Sequence, residues 1–478
     1  MSIQQAEMKV NMLGKEAVSS IHKYSVRILK EIGVEIGDPR ILKRLVSKGA
    51  KDVGRGRVCF DAAMIKDALA HCPPEFDVFS VCGEKHRIGG AARQYSTCCV
   101  DPGMNSASND NRPPRLDDCA NNAKIIDSLK LITMPYKMDV NYNDVPTALS
   151  VLKSNEAYFS NSTKHVLCGP CNESDARIWM EMGEIMAPDT LRKTPTISVL
   201  VSPSSPLALH LDCLEILQCA LEYGAPVICL PCPMCGETSP LSVAGTVMDL
   251  NAENLALIIV TQILRPGHPV IYHTVGMPAD MRVGCARMTG PEKMLMGIAA
   301  AQMGRFYGLP SGTAGASTDV NAFDVQNGAE TMSQILSAVL GPANLITGLG
   351  SNSNGCGTSA EQILIDYELL LLAEHLHKGI RMDNLKEAFD SIMRVGPGGN
   401  FMTDEHTVKQ CRSAEFFEPD LLDWTGRPDA GKGCYRRAGE RAQSILQKHH
   451  PLVPQDRLAK LRAYVVSKSA KLGAAAKK

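Results

Sequence analysis

Eight short β-prone runs, separated by helical stretches, constrain this chain more than any other feature. They fall at 95–100, 136–140, 165–168, 196–201, 226–230, 269–273, 312–316 and 344–348. Eight strand–helix alternations are the number that a (β/α)₈ barrel requires. Helical spacing of apolar residues fills the gaps, as at 207–223, closed by Gly224, and at 252–264, closed by Pro266-Gly267. The predicted fold is α/β, a (β/α)₈ TIM barrel over residues 91–380.

The segment after each run supports that reading. The first run leads into Asp101-Pro102-Gly103-Met104-Asn105 and the second into Asn141-Tyr142-Asn143-Asp144. The seventh leads into Thr318-Asp319-Val320-Asn321-Ala322-Phe323-Asp324, and the eighth into Ser351-Asn352-Ser353-Asn354-Gly355. These segments are small, polar and rich in Gly or Pro. Helix-to-strand links such as Gly224-Ala225 are terse by comparison. Barrel enzymes keep their chemistry at the C-terminal ends of the strands, which accounts for the asymmetry.

The flanks read differently. Residues 1–90 hold helical patterns at 18–32 and 41–46, a helix at 62–70 capped by Asp61, and short strands at 57–60 and 76–81. They predict an accessory helical region with a small hairpin. Beyond 381 the pattern is helical at 385–395, 436–448 and 456–472, broken by Gly396-Pro397-Gly398-Gly399. Residues 381–478 are therefore expected to form a C-terminal helical extension.

The charge balance narrows function. A formal net charge of -1 gives no basic footprint for nucleic acid. The best apolar run, 255–264, is shorter than the ~20 residues of a membrane span and contains Thr261 and Gln262. Residues 1–16 lack the apolar core of a signal peptide. Seventeen cysteines, an odd number in a chain too large to need disulfide staples, read as free thiols. Together these features predict a cytoplasmic protein.

Several constellations could carry chemistry. Cys229, Cys232 and Cys235 have C-x-x-C-x-x-C spacing, with Cys168 and Cys171 elsewhere. Cys229 lies inside a strand and no fourth ligand stands at a usual spacing, so no metal ligands are assigned. His273 ends the sixth strand and His406 follows the glycine-rich loop; each is a ligand-contacting candidate or a structural hydrogen-bonding group. The seventh loop gathers Asp319, Phe323, Asp324 and Gln326. An aromatic ring among carboxylates suits a cation, and the alternative is a solvated loop in which Asp324 caps the next helix.

A family resemblance rests on longer runs. These are 237–246 (ETSPLSVAGT), Asn251-Ala252-Glu253, 265–272 (RPGHPVIY), Gly290-Pro291-Glu292, 324–330 (DVQNGAE), 358–362 (TSAEQ), and 395–401 (VGPGGNF) with Glu405-His406-Thr407. Taken in order over most of the chain, they resemble the trimethylamine methyltransferase superfamily. The resemblance implies a barrel enzyme that moves a methyl group from a methylated amine to the cobalt of a separate corrinoid protein. The chain is written in standard residues, and so resembles the non-pyrrolysine branch, which demethylates quaternary amines such as glycine betaine. Other betaines (carnitine, proline betaine) and trimethylamine are alternative substrates. Rival readings are a non-catalytic betaine-binding barrel and an iron–sulfur barrel enzyme.

No D-x-H-x-x-G cobalamin signature occurs. The expectation is that this chain holds no tightly bound cofactor, and that Co(I) cobalamin arrives on the partner corrinoid protein. Nucleic acid and membrane are not expected partners, and self-association into a homo-oligomer is left open. No catalytic residue is assigned. The trimethylammonium group is placed within the strand-end ring near Glu237, His273, Phe323 and Asn352. Tyr142 offers a second ring face and Glu237 the countercharge, while His273, Asn352 and Asn354 offer donors to a substrate carboxylate. The alternative is that Phe323 packs against the helix behind its loop and Glu237 caps a helix.

Overall fold

The computed structural model describes residues 9–105, 111–413, 415–425 and 433–475. Eight strands occupy the positions of the eight runs: β1 Gln94–Thr97, β2 Tyr136–Met138, β3 Val166–Gly169, β4 Ile197–Val201, β5 Val227–Cys229, β6 Val270–Tyr272, β7 Gly312–Ala314 and β8 Leu345–Leu349. All their pairings are parallel. One sheet runs β2 to β6 in order, with Ile197 opposite Val166 and Val199 opposite Val227. A second runs β7–β8–β1, with Leu345 between Gly312 and Gln94. Single parallel bridges join the sheets at both edges, Cys98 to Tyr136 and Tyr272 to Ser311. Each strand therefore has its two sequence neighbours beside it, and β8 lies beside β1.

Parallel neighbours need a crossover, and each strand is followed by one helix. These are Leu116–Asp127, Ser150–Asn161, Glu173–Met186, Leu211–Tyr223, Val243–Leu264, Pro291–Phe306, Val325–Leu340 and Ala360–His377. Two boundaries differ from the sequence expectation. The 207–223 helix starts at Leu211, because Ala208–Leu209 pairs with the N-terminal strand Val34–Ile36. The 252–264 helix starts at Val243, where the Ser242 hydroxyl caps Gly245. That helix is long and apolar enough to cross a membrane, but it is mostly buried inside the fold. Its apolar surface packs on the helices around it, chiefly Lys15–Glu31, Ala62–His71 and Pro291–Phe306.

Alternation along the strands makes two cores. Val199, Val227, Cys229, Val270, Tyr272 and Ile346 face the helices in the larger one. Met134, Leu167, Ile228, Ile271 and Leu345 face inward and meet Val78 and Ile88. Those last two belong to the hairpin Glu75–Phe79 with Lys85–Gly89, anchored by Phe79 N–H donating to the Pro195 carbonyl at 2.8 Å. The N-terminal end of the ring is thus plugged by an apolar hairpin. Past β8 come the helices Leu385–Val395, Glu405–Gln410, Cys434–Lys448 and Gln455–Ala475. The last lies against the helices after β2 and β3.

Candidate active site

The C-terminal end of the ring is polar and buried. Ile271 faces inward and Tyr272 outward, so the two-residue period turns His273 inward. It is 1% exposed. Its Nε2 lies 3.3 Å from the Thr347 hydroxyl of β8, and its Nδ1 has no partner among the described residues. Gly312 makes room for it: a Cβ there would meet the imidazole Cδ2 at 2.1 Å. Burial lowers the imidazole pKa to about 3, so the ring is neutral at physiological pH.

Asp101 follows β1 and is 4% exposed. The Cys98 thiol donates to one of its oxygens and the Ser351 hydroxyl to the other, each at 3.1 Å. Burial raises its pKa to about 7, with these two donors opposing. Tyr136 of β2 is half-buried, in line with Met134 on the inner face. Burial pushes its phenol well up. Its backbone bridges Cys98, the residue whose thiol donates to Asp101, and its hydroxyl lies over Gly169, where a Cβ would meet it at 2.9 Å.

Loops 1 and 8 are sewn together by a small sheet of Gly103–Met104, Ser351–Asn352 and Gly357–Thr358. Within it the Asn105 amide donates to the Asn352 Oδ1 and, at 2.8 Å, to the Ser353 hydroxyl. Asn352 Nδ2 and Asn105 Oδ1 are buried without partners among the described residues. Unmatched buried amides are costly to keep, and a bound ligand is one way to satisfy them. Ser353 and Asn354 both take positive φ, 51° and 58°. Such strain in non-glycine residues gathers where a loop must hold one shape.

Other predicted residues act as latches. Asp319 accepts from Met288 N–H at 2.8 Å and from the Thr289 hydroxyl at 2.7 Å. Asn354 grips the same loop, accepting from Met288 N–H at 3.1 Å and donating to the Ala286 carbonyl at 2.8 Å. Loops 6, 7 and 8 are therefore tied to one another. Buried Lys293 donates to the Met288 carbonyl at 2.6 Å; burial lowers its pKa to about 8, with Asp319 opposing. Tyr142 is buried, with its hydroxyl unpartnered among the described residues.

Five further predicted residues have other surroundings. Glu237 is exposed on the turn after β5, its N–H donating to the Met234 carbonyl at 3.2 Å, where water screens its carboxylate. Phe323 is half-buried against Tyr435 of the helix Cys434–Lys448, ring centres 4.1 Å apart, so the C-terminal extension takes its face. Asp324 is exposed and caps the helix Val325–Leu340, accepting from Gln326 and Asn327 N–H. Gln326 is exposed and donates to Glu330 at 2.8 Å. His406 sits in the first turn of the helix Glu405–Gln410, its N–H donating to the cap Asp404 at 2.9 Å, and its Nδ1 is buried without a partner among the described residues. The cysteine spacing also fails to converge. Cys229 faces the helices, Cys232 meets Ser202 at 3.8 Å, and Cys235 meets Thr246 at 3.1 Å.

Asp101, Tyr136 and Asn105 do not stand out in the sequence. The signal for Asp101 is its place directly after a strand. Behind the wall, Lys137 is fully buried, donates to the Ser154 hydroxyl at 2.9 Å, and lies 3.6 Å from Asp139. Trp179 Nε1–H donates to both Asp139 oxygens at 3.1 Å. This cluster fixes β2, which carries Tyr136.

The class defined by these features is an α/β enzyme with a buried polar site at the ends of parallel strands. The sequence model of the family "Trimethylamine methyltransferase (MTTB)" matches residues 1–473, and the chain belongs to that family. It is 30% identical to a glycine betaine methyltransferase of Desulfitobacterium hafniense (strain Y51), over 97% of this chain and 98% of that one. It is 27% identical to a proline betaine:corrinoid methyltransferase of Eubacterium limosum, over 86% and 87%. A trimethylamine methyltransferase MttB of Desulfitobacterium hafniense (strain DSM 10664 / DCB-2) is 28% identical over 94% and 92%. The fold is also similar to the monomethylamine methyltransferase MtmB of Methanosarcina barkeri, with a TM-score of 0.54, 13% identity, and 92% and 88% of the two chains covered.

Proposed function

We propose that this chain is a (β/α)₈-barrel methyltransferase that takes a methyl group from a quaternary amine, best matched by glycine betaine, and passes it to Co(I) of a separate corrinoid protein. The observation that carries the reading is that one ring end gathers the buried carboxylate of Asp101, the aromatic Tyr136 bridged through its backbone to the Cys98 that donates to Asp101, and buried amides without partners among the described residues. Asp101 and Tyr136 suit the trimethylammonium group; Asn352 Nδ2 suits the betaine carboxylate. The relatives that act on betaines support the substrate class.

The chemistry asks little of acids or bases. The methyl carbon accepts an electron pair from the partner's Co(I) as its C–N bond breaks. The bonding pair stays on nitrogen, so dimethylglycine leaves as a neutral amine and no proton is needed. The work of the protein is to hold one N–CH₃ bond in line and to exclude water. A neutral His273 and latched loops fit that task. Countercharge from Asp101 must hold the cation without over-stabilising it, because the positive charge on nitrogen vanishes as the bond breaks.

The same reading divides the chain into an accessory region 1–90, a barrel 91–380 and an extension 381–478. It places the enzyme in the cytoplasm, where its seventeen free thiols would stay reduced. The test is to mix the protein with glycine betaine and a reduced corrinoid protein and follow the cobalt spectrum. Conversion of Co(I) to methyl-Co(III) with formation of dimethylglycine is expected. A panel with proline betaine, carnitine and trimethylamine ranks the substrates. No methyl transfer from any of them would reject the proposal, and betaine binding without demethylation would make the chain a binding barrel.

A further inference from the structure

The helix Leu385–Val395 is built inside out. Its apolar residues Leu385, Phe389, Ile392 and Met393 recur at helical spacing on one face, and all four point to solvent, 52%, 59%, 57% and 68% exposed. The polar face makes the intramolecular contacts. Ser391, the helix's single buried residue, donates to Asp404 at 2.6 Å. Arg394 pairs with Asp404 at 3.0 Å, and Glu387 with Lys409 at 2.6 Å. A short helix in water is marginal without burial of its apolar face, so a helix that turns that face outward lacks its partner.

The loop beyond it adds Phe401 and Met402, 44% and 78% exposed. At about 180 Å² per fully exposed large apolar side chain, the six fractions amount to roughly 600 Å². That is the upper end of what a monomer leaves uncovered, and most of the ~800 Å² that each partner gives to a standard interface.

We infer that this face is an interface between copies of this chain. Charge supports the choice of occupant. Between 378 and 415, six cations (Lys378, Arg381, Lys386, Arg394, Lys409, Arg412) match six anions (Asp383, Glu387, Asp390, Asp404, Glu405, Glu415). The lobe is electroneutral, so two copies meet without repulsion, whereas a strongly charged partner finds no counterpart. Position supports it too. The lobe hangs from the far end of the helix Ala360–His377: Phe417 stacks near His375, ring centres 5.8 Å apart, and Arg381 pairs with Glu415 at 3.4 Å. That helix has 18 residues and is about 27 Å long, and it begins at the strand-end loops. The lobe is therefore anchored at the end of that helix remote from the strand-end loops, and the pairing of two lobes need not cover the polar end of the ring.

The experiment is light scattering on the full chain and on the double variant Phe389→Asp with Ile392→Asp, with circular dichroism to confirm the fold. The expected masses are two or more chains for the unaltered protein and one chain for the variant. An unaltered protein that is monomeric at micromolar concentration, or a folded variant that keeps the parent mass, overturns the inference. Hydrogen exchange on the unaltered protein gives a reading that does not depend on the variant folding. Amides of 385–395 are expected to become more protected as concentration rises, and concentration-independent exchange there also overturns it.

Discussion

The two ends of the ring are made from the same strands and treated oppositely. At the N-terminal end Leu167, Ile228, Ile271 and Leu345 are sealed by Val78 and Ile88 of the hairpin. At the C-terminal end, two residues further along β6, stands His273 with a nitrogen unpartnered among the described residues, and the loop after β8 adds the buried amide of Asn352, also unpartnered among them. One end is filled by apolar packing, which stabilises the fold. The other leaves polar groups unmatched, which lowers stability and prepares a site. A substitution should therefore report on stability at one end and on chemistry at the other.

The largest effect is expected at the sealed end. Ile271→Ala should cost about 2–5 kcal/mol of stability in chemical denaturation, because a buried cavity replaces the side chain. The Michaelis constant for betaine should stay near that of the parent; a large rise would show that the two ends are coupled. Next comes Asp101→Asn, which should lower kcat/KM roughly 100-fold, a loss of about 2.7 kcal/mol in transition-state stabilisation. Its stability should move the other way. A carboxyl whose folded pKa is raised to about 7 contributes stability that is full below its unfolded pKa and lost as pH rises through 7. At pH 8 the amide variant should therefore melt above the parent. A variant that loses both activity and stability would make Asp101 structural.

The arrangement is readable from sequence to different depths. The strands are legible because short β-prone runs end in Gly, Pro and small polar residues, a local signal that survives folding. The start of the Val243–Leu264 helix is not, because Gly245 and Thr246 look like loop, whereas the Ser242 cap holds them in the first turn. His273 is legible as the end of a strand. The Asn105–Asn352 contact is hidden, since 247 residues separate the pair and only ring closure brings them together. Phe323 looks free to face a cation because Tyr435, which covers it, is 112 positions further along. Glu237 reads the same in sequence whether it is exposed or buried.

Smaller effects sharpen the contrast. Gly312→Ala drives a Cβ into the imidazole of His273, so turnover should fall roughly tenfold in steady-state assays, or about 1.4 kcal/mol. Full activity would remove His273 from the site. Betaine affinity should also depend on pH. Only the ionised form of Asp101 attracts the cation, and with a pKa of about 7 the ionised fraction rises about tenfold from pH 6 to pH 8. Calorimetry at the two pH values should show tighter binding at the higher one; equal affinities would exclude Asp101 as the countercharge. Smallest of all, Phe323→Ala and Glu237→Gln should each change betaine affinity less than about twofold, because the first ring packs on Tyr435 and the second carboxylate is screened by water.

The most direct measurement is a crystal structure of the protein with glycine betaine bound. The account predicts the trimethylammonium nitrogen within about 4–6 Å of the Asp101 carboxylate, the range over which opposite charges interact strongly, and against the ring of Tyr136. It predicts the betaine carboxylate on the amide of Asn352. A ligand seated instead beside Glu237 and Phe323, or at the hairpin-sealed end of the ring, would contradict it.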